Sequence, residues 1–455
     1  VFMAMVVKNN MSAVNTLNTL NKNQSELSKS LQKVSSGMKI NSAGDDASGM
    51  AISERMRVQV RALDQDHANT DNGNAMMRTA EGAVQSTIEI LKTLKEKAIN
   101  AANDTNTDED RALIQKEVDH LIDQIDDNAL TTYNGKYLID GTHNGPVLAP
   151  GTKTSFTNMS LATSTGPFSA LVNLRRRDGQ LLGIHSSDSI TASWVKNGVT
   201  YTGTISPIAT NNLLAAVNII TNTDATFYQA TSLVGQDEVG KPIYTPDNQP
   251  AITIRAAAPG VAGQVSGLTF CVTDSEGHRR NEVNAVLDAF TETVRAQDPS
   301  PDNAFVLQTG TRANQAVKVG MTDMRSVALG LQSSDGKAWD HGTLSAGINV
   351  VGGGPKVQVT TQEAANAAIN VFENALIKAT DQAVAIGAVQ SRLNYTGSNL
   401  VVASENVQAS ESTIRDADMA KEMTAYTKHN VLTQSAQAML AQANQNSSAV
   451  LSLLK

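Results

Sequence analysis

The stretch that decides the fold is TTQEAANAAINVFENALIKATDQAVAIGAVQSRLNYTGSNLVVASENVQASESTI, residues 360–414. Its apolar and small residues recur in alternating steps of four and three, which is the heptad spacing of a coiled coil. The heptad positions are Ala365, Ile369, Phe372, Leu376, Ala379, Ala383, Ile386, Gln390, Leu393, Gly397, Leu400, Ser404, Val407, Glu411 and Ile414. Thr360 and Glu363 have the spacing of a capping box, which predicts that the helix begins here. Because several of these positions are small or polar, the helix requires a partner.

Other parts of the chain supply partners with the same spacing. Near the amino end, the heptad positions are Ala13, Leu17, Leu20, Gln24, Leu27, Leu31, Val34 and Met38. A helix restarts after Asp45 and continues to Asn103, and the next helix begins at the cap Thr107. The last amphipathic helix carries Met423, Tyr426, Leu432, Ala436, Met439, Ala443, Val450 and Leu453. The sequence therefore predicts a mainly α protein, in which long antiparallel helices from both termini form a nested coiled coil or bundle.

Residues 145–301 have a different character. The heptad spacing is absent, and Thr, Ser, Gly and Pro separate short runs of β-branched residues. This pattern predicts a β-rich α+β insert. Asn134-Gly135 and Asn197-Gly198 predict tight hairpins, because both residues of such a turn adopt positive φ angles. We predict strands near 251–256 and 267–273, helices near 212–220 and 282–295, and a flexible turn at 352–355.

These patterns divide the chain into three predicted domains. Residues 1–44 and 415–455 form a domain of terminal helices, and residues 45–144 and 302–414 form an inner rod with long helices and β elements. Residues 145–301 form a variable, surface-exposed outer domain, inserted farthest from both ends. The joint between the first two domains combines Gly, small residues and charges, so alternative packings there differ by only a few kcal/mol. Its candidate switch residues are Asp45, Gly49, Ile52, Val407 and Ile414.

Composition excludes several classes of protein. The 455 residues carry a net charge of −8 and contain 4% aromatic residues, so we expect neither nucleic-acid binding nor a large aromatic core. No apolar run reaches the roughly 20 residues of a membrane span. The first eight residues lack the apolar core and cleavage site of a secretory signal, so we expect export by a different route. The single cysteine, Cys271, excludes an intramolecular disulfide framework and is interpreted as a buried apolar residue.

Motifs of catalysis are missing from the sequence. The seven histidines form no His-Glu-x-x-His motif and no metal-ligand spacing. We interpret Asp45, Asp46, Asp416 and Asp418 as helix caps rather than metal ligands, and the run Arg175–Arg177 as a solvated loop. The sequence thus predicts a protein that is not an enzyme and that binds no cofactor or metal.

Both ends of the chain resemble bacterial flagellin. The amino-terminal motifs are NNMSAVNTLN, residues 9–18, and SSGMKINSAGDDASGMAI, residues 35–52. The carboxyl-terminal motif is IRDADMAKEMTAYTKHNVLTQSAQAMLAQANQNSSAVLSLL, residues 414–454. The resemblance covers about residues 5–141 and 305–455, and residues 145–301 resemble the family only loosely. One departure is that Val1 and Phe2 precede Met3, where members of the family usually begin.

This resemblance implies a structural subunit of the bacterial flagellar filament that self-assembles into a helical homopolymer for swimming. It implies unfolded export through the flagellar type III apparatus, with an export chaperone at the carboxyl-terminal helix and cap and hook-junction proteins as further partners. The residues expected to pack between subunits in the filament core are Leu17, Leu20, Leu27, Leu31, Val34, Met423, Leu432, Met439, Val450 and Leu453. Two alternatives remain: a hook–filament junction protein, which shares the amino-terminal pattern, and a secreted coiled-coil adhesin.

The resemblance also implies contact with a host innate immune receptor. In receptor-activating flagellins, one exposed helix presents an Arg and, four residues later, a Leu. This chain has Thr93 and Lys97 at those positions, while Glu117 retains the acidic partner on the next helix. Because Thr lacks the bidentate guanidinium and Lys places a charge at an apolar contact, we expect weaker receptor signalling than from a typical agonist.

Overall fold

The computed structural model describes residues 10–208, 212–213, 224–334, 348–352 and 355–453, with side chains for all except 226–230, 348–352 and 446–453. Long helices near both ends of the sequence and strands in its middle confirm the predicted mainly α fold with an α+β insert. The helices are α1 Met11–Ser36, α2 Ala47–Ala101, α3 Asp108–Ala129, α4 Asn281–Leu287, α5 Ser326–Leu329, α6 Gln362–Arg415 and α7 Met419–Leu453.

The strands are mostly short, and all of their pairings are antiparallel in the described part of the chain. They are β1 Thr132–Tyr133, β2 Lys136–Tyr137, β3 Ser155–Asn158, β4 Ser189–Lys196, β5 Val199–Ile205, β6 Ala225–Thr231, β7 Leu233–Gln236, β8 Pro242–Tyr244, β9 Ala251–Ala256, β10 Ser266–Thr273, β11 Phe290–Val294, β12 Phe305–Gln308, β13 Ala316–Val319 and β14 Ile348–Gly352.

The chain divides into two compact units. The terminal unit comprises Val1–Thr70, Gln308–Gln315 and Tyr395–Lys455, and the central unit comprises Asp71–Leu307 and Ala316–Asn394. The three-domain division predicted from the sequence, with boundaries at residues 44, 144, 301 and 414, stays a prediction.

In the terminal unit, the chain turns sharply after α1 and again before α7. Gly37 ends α1 with a φ of 71°, a left-handed conformation that favours glycine because it has no Cβ. Met38 forms an antiparallel bridge with Asp416, between α6 and α7, and the Lys39 amide donates to the Arg415 carbonyl at 2.7 Å. These bonds tie the two turns together.

In the central unit, the second half of α2 packs against α3 and the first half of α6 around an aliphatic core. The two long helices run antiparallel, since Asn74 donates to Asn394 and Gln390 donates to Glu81, both at 2.7 Å. Its fully buried large side chains include Met77, Leu91, Leu94, Ile122, Ile125 and Phe372. This core is mainly aliphatic, with Phe305 and Phe372 among its buried members, which agrees with the low aromatic content of the chain.

Helix caps follow the sequence closely, with one correction. Thr107 and Asp110 form the predicted capping box of α3. For α6, the expected box of Thr360 and Glu363 is wrong, because the Thr361 hydroxyl accepts the Ala364 amide hydrogen at 3.2 Å. The helix therefore begins one residue later than predicted, and Glu363 lies too close to the cap to complete a box.

Two four-stranded sheets form the insert and share a second core. Their strand orders are β10-β4-β5-β14 and β11-β3-β9-β6. Trp194 and Tyr201 stack in this core with ring centroids 5.5 Å apart, beside Phe156, Ile254 and Phe270. The predicted Asn-Gly hairpins are present: Asn134 and Asn197 have φ angles of 50° and 52°. The bridges Val147–Ser300 and Thr152–Gln297 bring the two ends of the insert side by side.

Three details in and around the insert differ from the sequence prediction or fall on residues that the structure does not describe. The helix predicted for 282–295 ends at Leu287, and Phe290–Val294 forms strand β11 instead, because it pairs with β3. Strand β14 was not predicted, yet it pairs with β5 and completes a sheet from a distant part of the sequence. Most of the helix predicted near 212–220, and residues 353 and 354 of the predicted flexible turn, lie outside the described residues.

Candidate assembly surface of the terminal helices

Helices α1 and α7 pack against each other in antiparallel directions within the terminal unit. The Asn10 side-chain amide donates to the Ala443 carbonyl at 3.1 Å, and the Lys33 ammonium lies 3.9 Å from a Glu422 carboxylate oxygen. Most of the less exposed residues recur at heptad spacing and are small or polar. On α1 they are Ala13, Thr16, Leu20, Asn23, Leu27, Ser30 and Val34, and on α7 Glu422, Tyr426, His429, Thr433, Ala436, Leu440 and Ala443.

The register of α1 differs from the one that its leucines suggest. Ser30 is 7% exposed, whereas Leu17 is 44% exposed and Leu31 is 52% exposed. Leu20 and Leu27 remain half-buried. Small side chains at the contact allow the two helices to approach closely, since the distance between helix axes depends on the residues between them. Leu17 and Leu31 therefore remain on the outer surface of the pair.

Large apolar side chains on both helices are exposed outside the heptad positions of their contact, and we call these sets the outward apolar rows. On α1 the row contains Met11, Val14, Leu17 and Leu31, and on α7 it contains Met423, Val431, Leu432 and Met439. Met423, Val431 and Leu432 line a shallow groove on α7. Exposed apolar patches of this kind mark surfaces that bind another protein. The side chains of Val450 and Leu453 lie outside the described residues.

The candidate switch residues lie at the start of α2 and near the end of α6. The Asp45 carboxylate accepts hydrogen bonds from the Ser42 hydroxyl and amide and from the Asn41 amide, and these bonds lower the pKa of Asp45. Gly49 is buried, and a Cβ atom there would lie 2.6 Å from Cδ1 of Ile40. Ile52, Val407 and Ile414 are half-buried.

Sequence reasoning missed Arg415, which it treated only as the point where the heptads stop. The residue is 9% exposed, and its Nη1 atom lies 2.8 Å from Oε1 of Glu54 and 3.4 Å from the Ser53 hydroxyl. Its carbonyl also accepts the Lys39 amide hydrogen. Arg415 thus links the start of α2, the end of α6 and the turn after α1. The signal for Arg415 in the sequence was its place, as a charged residue, directly after the last heptad position Ile414.

The three candidate receptor residues lie on α2 and α3 of the central unit. Lys97 Nζ is 2.8 Å from a carboxylate oxygen of Glu117, and the Thr93 hydroxyl donates to the Glu89 carbonyl at 3.1 Å. The structure therefore brings Lys97 and Glu117 together and turns the Thr93 hydroxyl back onto its own helix. In this chain, the acidic residue already has a cationic partner.

Two further properties concern the described residues only. None of their helices is long and apolar enough to cross a membrane. Within the same residues, no three His, Cys, Asp or Glu side chains are grouped in a way that could hold a metal ion.

Comparison with known proteins identifies the two ends separately. Residues 7–144 match the family model of the bacterial flagellin N-terminal helical region, and residues 369–454 match that of the C-terminal helical region. Flagellin of Clostridium tyrobutyricum is 32% identical over 442 residues, which cover 97% of this chain and 99% of that protein. Flagellin of Bacillus subtilis is 28% identical over 454 residues, which cover 99% and 100% of the two chains.

Similarity to solved structures is weaker. FliC from Burkholderia pseudomallei matches with a TM-score of 0.25 and 16% identity, over 70% of this chain and 99% of that one. The sequence relatives decide the family, because their similarity to this chain extends over nearly the whole length of both proteins. The chain therefore belongs to the bacterial flagellin family, the extracellular structural subunits of the flagellar filament.

Proposed function

We propose that the outward apolar rows of α1 and α7 are the surfaces through which this flagellin packs into the filament core. One observation carries the proposal: the two helices meet mostly through small and polar residues and leave several large apolar residues exposed. Met11 is 61% exposed and Met439 is 62% exposed. Burying such a side chain contributes about 1.5–3 kcal/mol, so neighbouring subunits would gain from covering both rows.

Substitution of exposed methionines tests this proposal. We expect Met423→Gln with Met439→Gln to raise the subunit concentration needed for polymerisation at least tenfold, measured by sedimentation at neutral pH. The matched control is Gln437→Asn, which changes an exposed polar residue of the same helix. Both variants should retain the wild-type fold of the central unit. A double variant that polymerises at the wild-type concentration would show that the rows are not the packing surface.

We also propose that α1 and α7 gain most of their helical structure on polymerisation. Their mutual contact buries few large apolar side chains, and helices in proteins depend mainly on tertiary packing, so neighbouring subunits would supply much of their stability. Circular dichroism should show more helix in the polymer than in the monomer. Deletion from Thr433 onward should abolish assembly while the central unit stays folded. Equal helicity in the two states would contradict this proposal.

We propose the remaining partners on the basis of the family, and the exposed outward apolar row of α7 supports them. Before export, a chaperone would cover the outward apolar row of α7 and prevent early polymerisation. Filament cap and hook-junction proteins would contact subunits at the two ends of the polymer. Residues 1–44 with 415–455 would form the filament core, 45–144 with 302–414 the inner rod, and 145–301 the surface domain. Purified chaperone should lose affinity for the Met423→Gln, Met439→Gln variant and not for Gln437→Asn.

A further inference from the structure

A buried pair of a lysine and a glutamate joins helix α6 to strand β11 of the insert, and filament packing through the outward apolar rows does not use it. Nζ of Lys378, on α6, lies 3.6 Å from Oε1 of Glu292, on β11. Each of the two side chains is only 6% exposed. Folding of the central unit thus places an amine and a carboxyl group side by side in its interior.

The two groups are close, but they do not form the hydrogen bond that stabilises a buried ion pair. Within the described residues, neither Nζ of Lys378 nor Oε1 of Glu292 has a hydrogen-bond partner. By contrast, the Lys196 ammonium elsewhere in the insert donates to the Asp224 carboxylate at 2.5 Å. Burial of two ions is costly unless such hydrogen bonds form. Lys378 and Glu292 are therefore poorly placed as a pair of ions.

The surroundings favour the uncharged form of both groups. Desolvation raises the pKa of Glu292 and lowers the pKa of Lys378. The neighbouring Arg295 guanidinium also lowers the pKa of Lys378, because like charges repel each other. A desolvated lysine is an activated nucleophile, since its nitrogen then carries a free electron pair. An uncharged amine and an uncharged carboxylic acid are the two reactants of amide condensation.

We propose that Lys378 and Glu292 condense into an intramolecular isopeptide bond in the folded chain. The electron pair of Nζ attacks Cδ of Glu292, so that the Nζ–Cδ bond forms and the bond between Cδ and the hydroxyl group breaks. The hydroxyl group leaves as water with one proton from Nζ, and the reaction requires no oxidant, reductant or other reactant. The product is a neutral amide that joins β11 covalently to α6.

Folding supplies the conditions that this reaction requires. Reactants that one molecule holds about 3–3.5 Å apart react far faster than free ones, and the amine lies close to this range from the carboxyl group. The charge of Arg295 acts on both groups and would stabilise the oxyanion of the tetrahedral intermediate. Glu292 lines a cavity of about 410 Å³ and Lys378 another of about 290 Å³, which leave space for the released water. The bond therefore forms after the exported chain has folded.

Mass spectrometry of the folded full-length chain tests for the bond. We expect the intact wild-type protein to be lighter than its sequence by the mass of one water molecule. Trypsin should release a linked peptide that joins residues 281–295 to residues 357–392, because trypsin does not cleave after the modified Lys378. Lys378→Met should have the full mass of its sequence. The matched control is Lys318→Met, which removes a 63% exposed partner of Asp302 and should retain the loss of one water.

A refolding experiment is independent of any variant. Wild-type chain recovered unfolded from inclusion bodies should have its full mass in denaturant and lose one water only after transfer to native buffer. A folded wild-type chain that keeps its full mass would overturn the proposal. Loss of water without the linked peptide would also overturn it, because cyclisation of an aspartate elsewhere in the chain releases water too. The same loss in denaturant would show that the folded arrangement of Lys378 and Glu292 is not its cause, and would overturn the proposal as well.

Discussion

At residue 415, a nearly buried guanidinium holds together segments that are far apart in sequence. Arg415 and Arg57 both pair with Glu54, at 2.8 Å and 3.0 Å, but their side chains are 10% and 42% exposed. The hydrogen bond to Arg415, followed by the one to Arg57, lowers the pKa of Glu54. The two arginines thus offer a buried and an exposed version of the same interaction.

We expect Arg415→Ala to destabilise the terminal unit by about 2 kcal/mol, since it removes charged hydrogen bonds from a nearly buried position. Arg57→Ala, the control, should cost at most about 0.5 kcal/mol, as exposed pairs do. Hydrogen exchange of the amides of residues 37–58 measures both effects. Equal protection in the two variants would show that burial of Arg415 does not matter.

A single ion pair also bears on receptor recognition. Lys97 forms an ion pair with Glu117, so the position at which we propose an apolar receptor contact carries a paired charge in this chain. We expect the monomer of Thr93→Arg with Lys97→Leu to signal more strongly through the flagellin-sensing Toll-like receptor than the wild type. A reporter-cell assay measures this, with Lys92→Leu as a control on the same helix. A double variant without any gain would contradict the assignment of these residues.

At the scale of elements, the start of α2 leaves no room for a side chain at Gly49. Asp46 caps it by accepting the Gly49 amide hydrogen at 3.0 Å, and Ile40 packs against Gly49. A Cβ atom at Gly49 would lie 2.4 Å from Oδ2 of Asp46, closer than any normal contact, whereas one at Gly82 of the same helix would meet nothing within 4 Å. The two glycines therefore form a matched pair.

We expect Gly49→Val to fix the filament in one waveform, because the larger residue excludes one of the alternative packings at the joint. Gly82→Val should leave the set of waveforms unchanged. Electron micrographs of filaments across a range of pH and salt measure the result. If Gly49→Val filaments change shape as the wild type does, the joint is not the switch.

At the scale of the whole molecule, this flagellin is exported and self-assembles outside the cell into the filament that propels swimming. The insert contacts the helices of the central unit at more than its two ends. Val195 of β4 belongs to the helical core, and a Cβ atom at Gly267 would lie 2.7 Å from the Ala367 carbonyl of α6. Strand β14 joins its sheet from beyond residue 347. Removal of residues 142–302 alone would therefore leave β14 without its partner.

We expect deletion of residues 142–302, joining Gly141 to Asn303, to leave polymerisation possible. The deletion variant should be less soluble than one that also lacks Ile348–Gly352, because an unpaired strand promotes aggregation. Negative-stain microscopy and light scattering measure the two properties. If neither variant forms filaments while the remaining helices stay folded, the insert is part of the core of the filament.

The sequence by itself determined the long helices, their nesting and the family. Heptad spacing in residues 360–414 predicts α6 within two residues at each end, because the apolar period of a helix is a local property. The Asn-Gly turns and the Thr107 cap are equally local, since each depends on the conformation of a few neighbouring residues. The flagellin motifs at both ends identify the family without any tertiary information.

Only the tertiary structure decided which face of each helix is covered. The leucines of α1 predicted a contact through Leu17 and Leu31, but closest approach to α7 favours Ser30 and leaves both leucines exposed. Strand pairing decided that Phe290–Val294 is not helical, because a hydrogen-bonded neighbour outweighs local propensity. The role of Arg415 depends on residues that meet only after folding. Its partners Ser53 and Glu54 are more than 350 residues away in the chain, so no local pattern could reveal them.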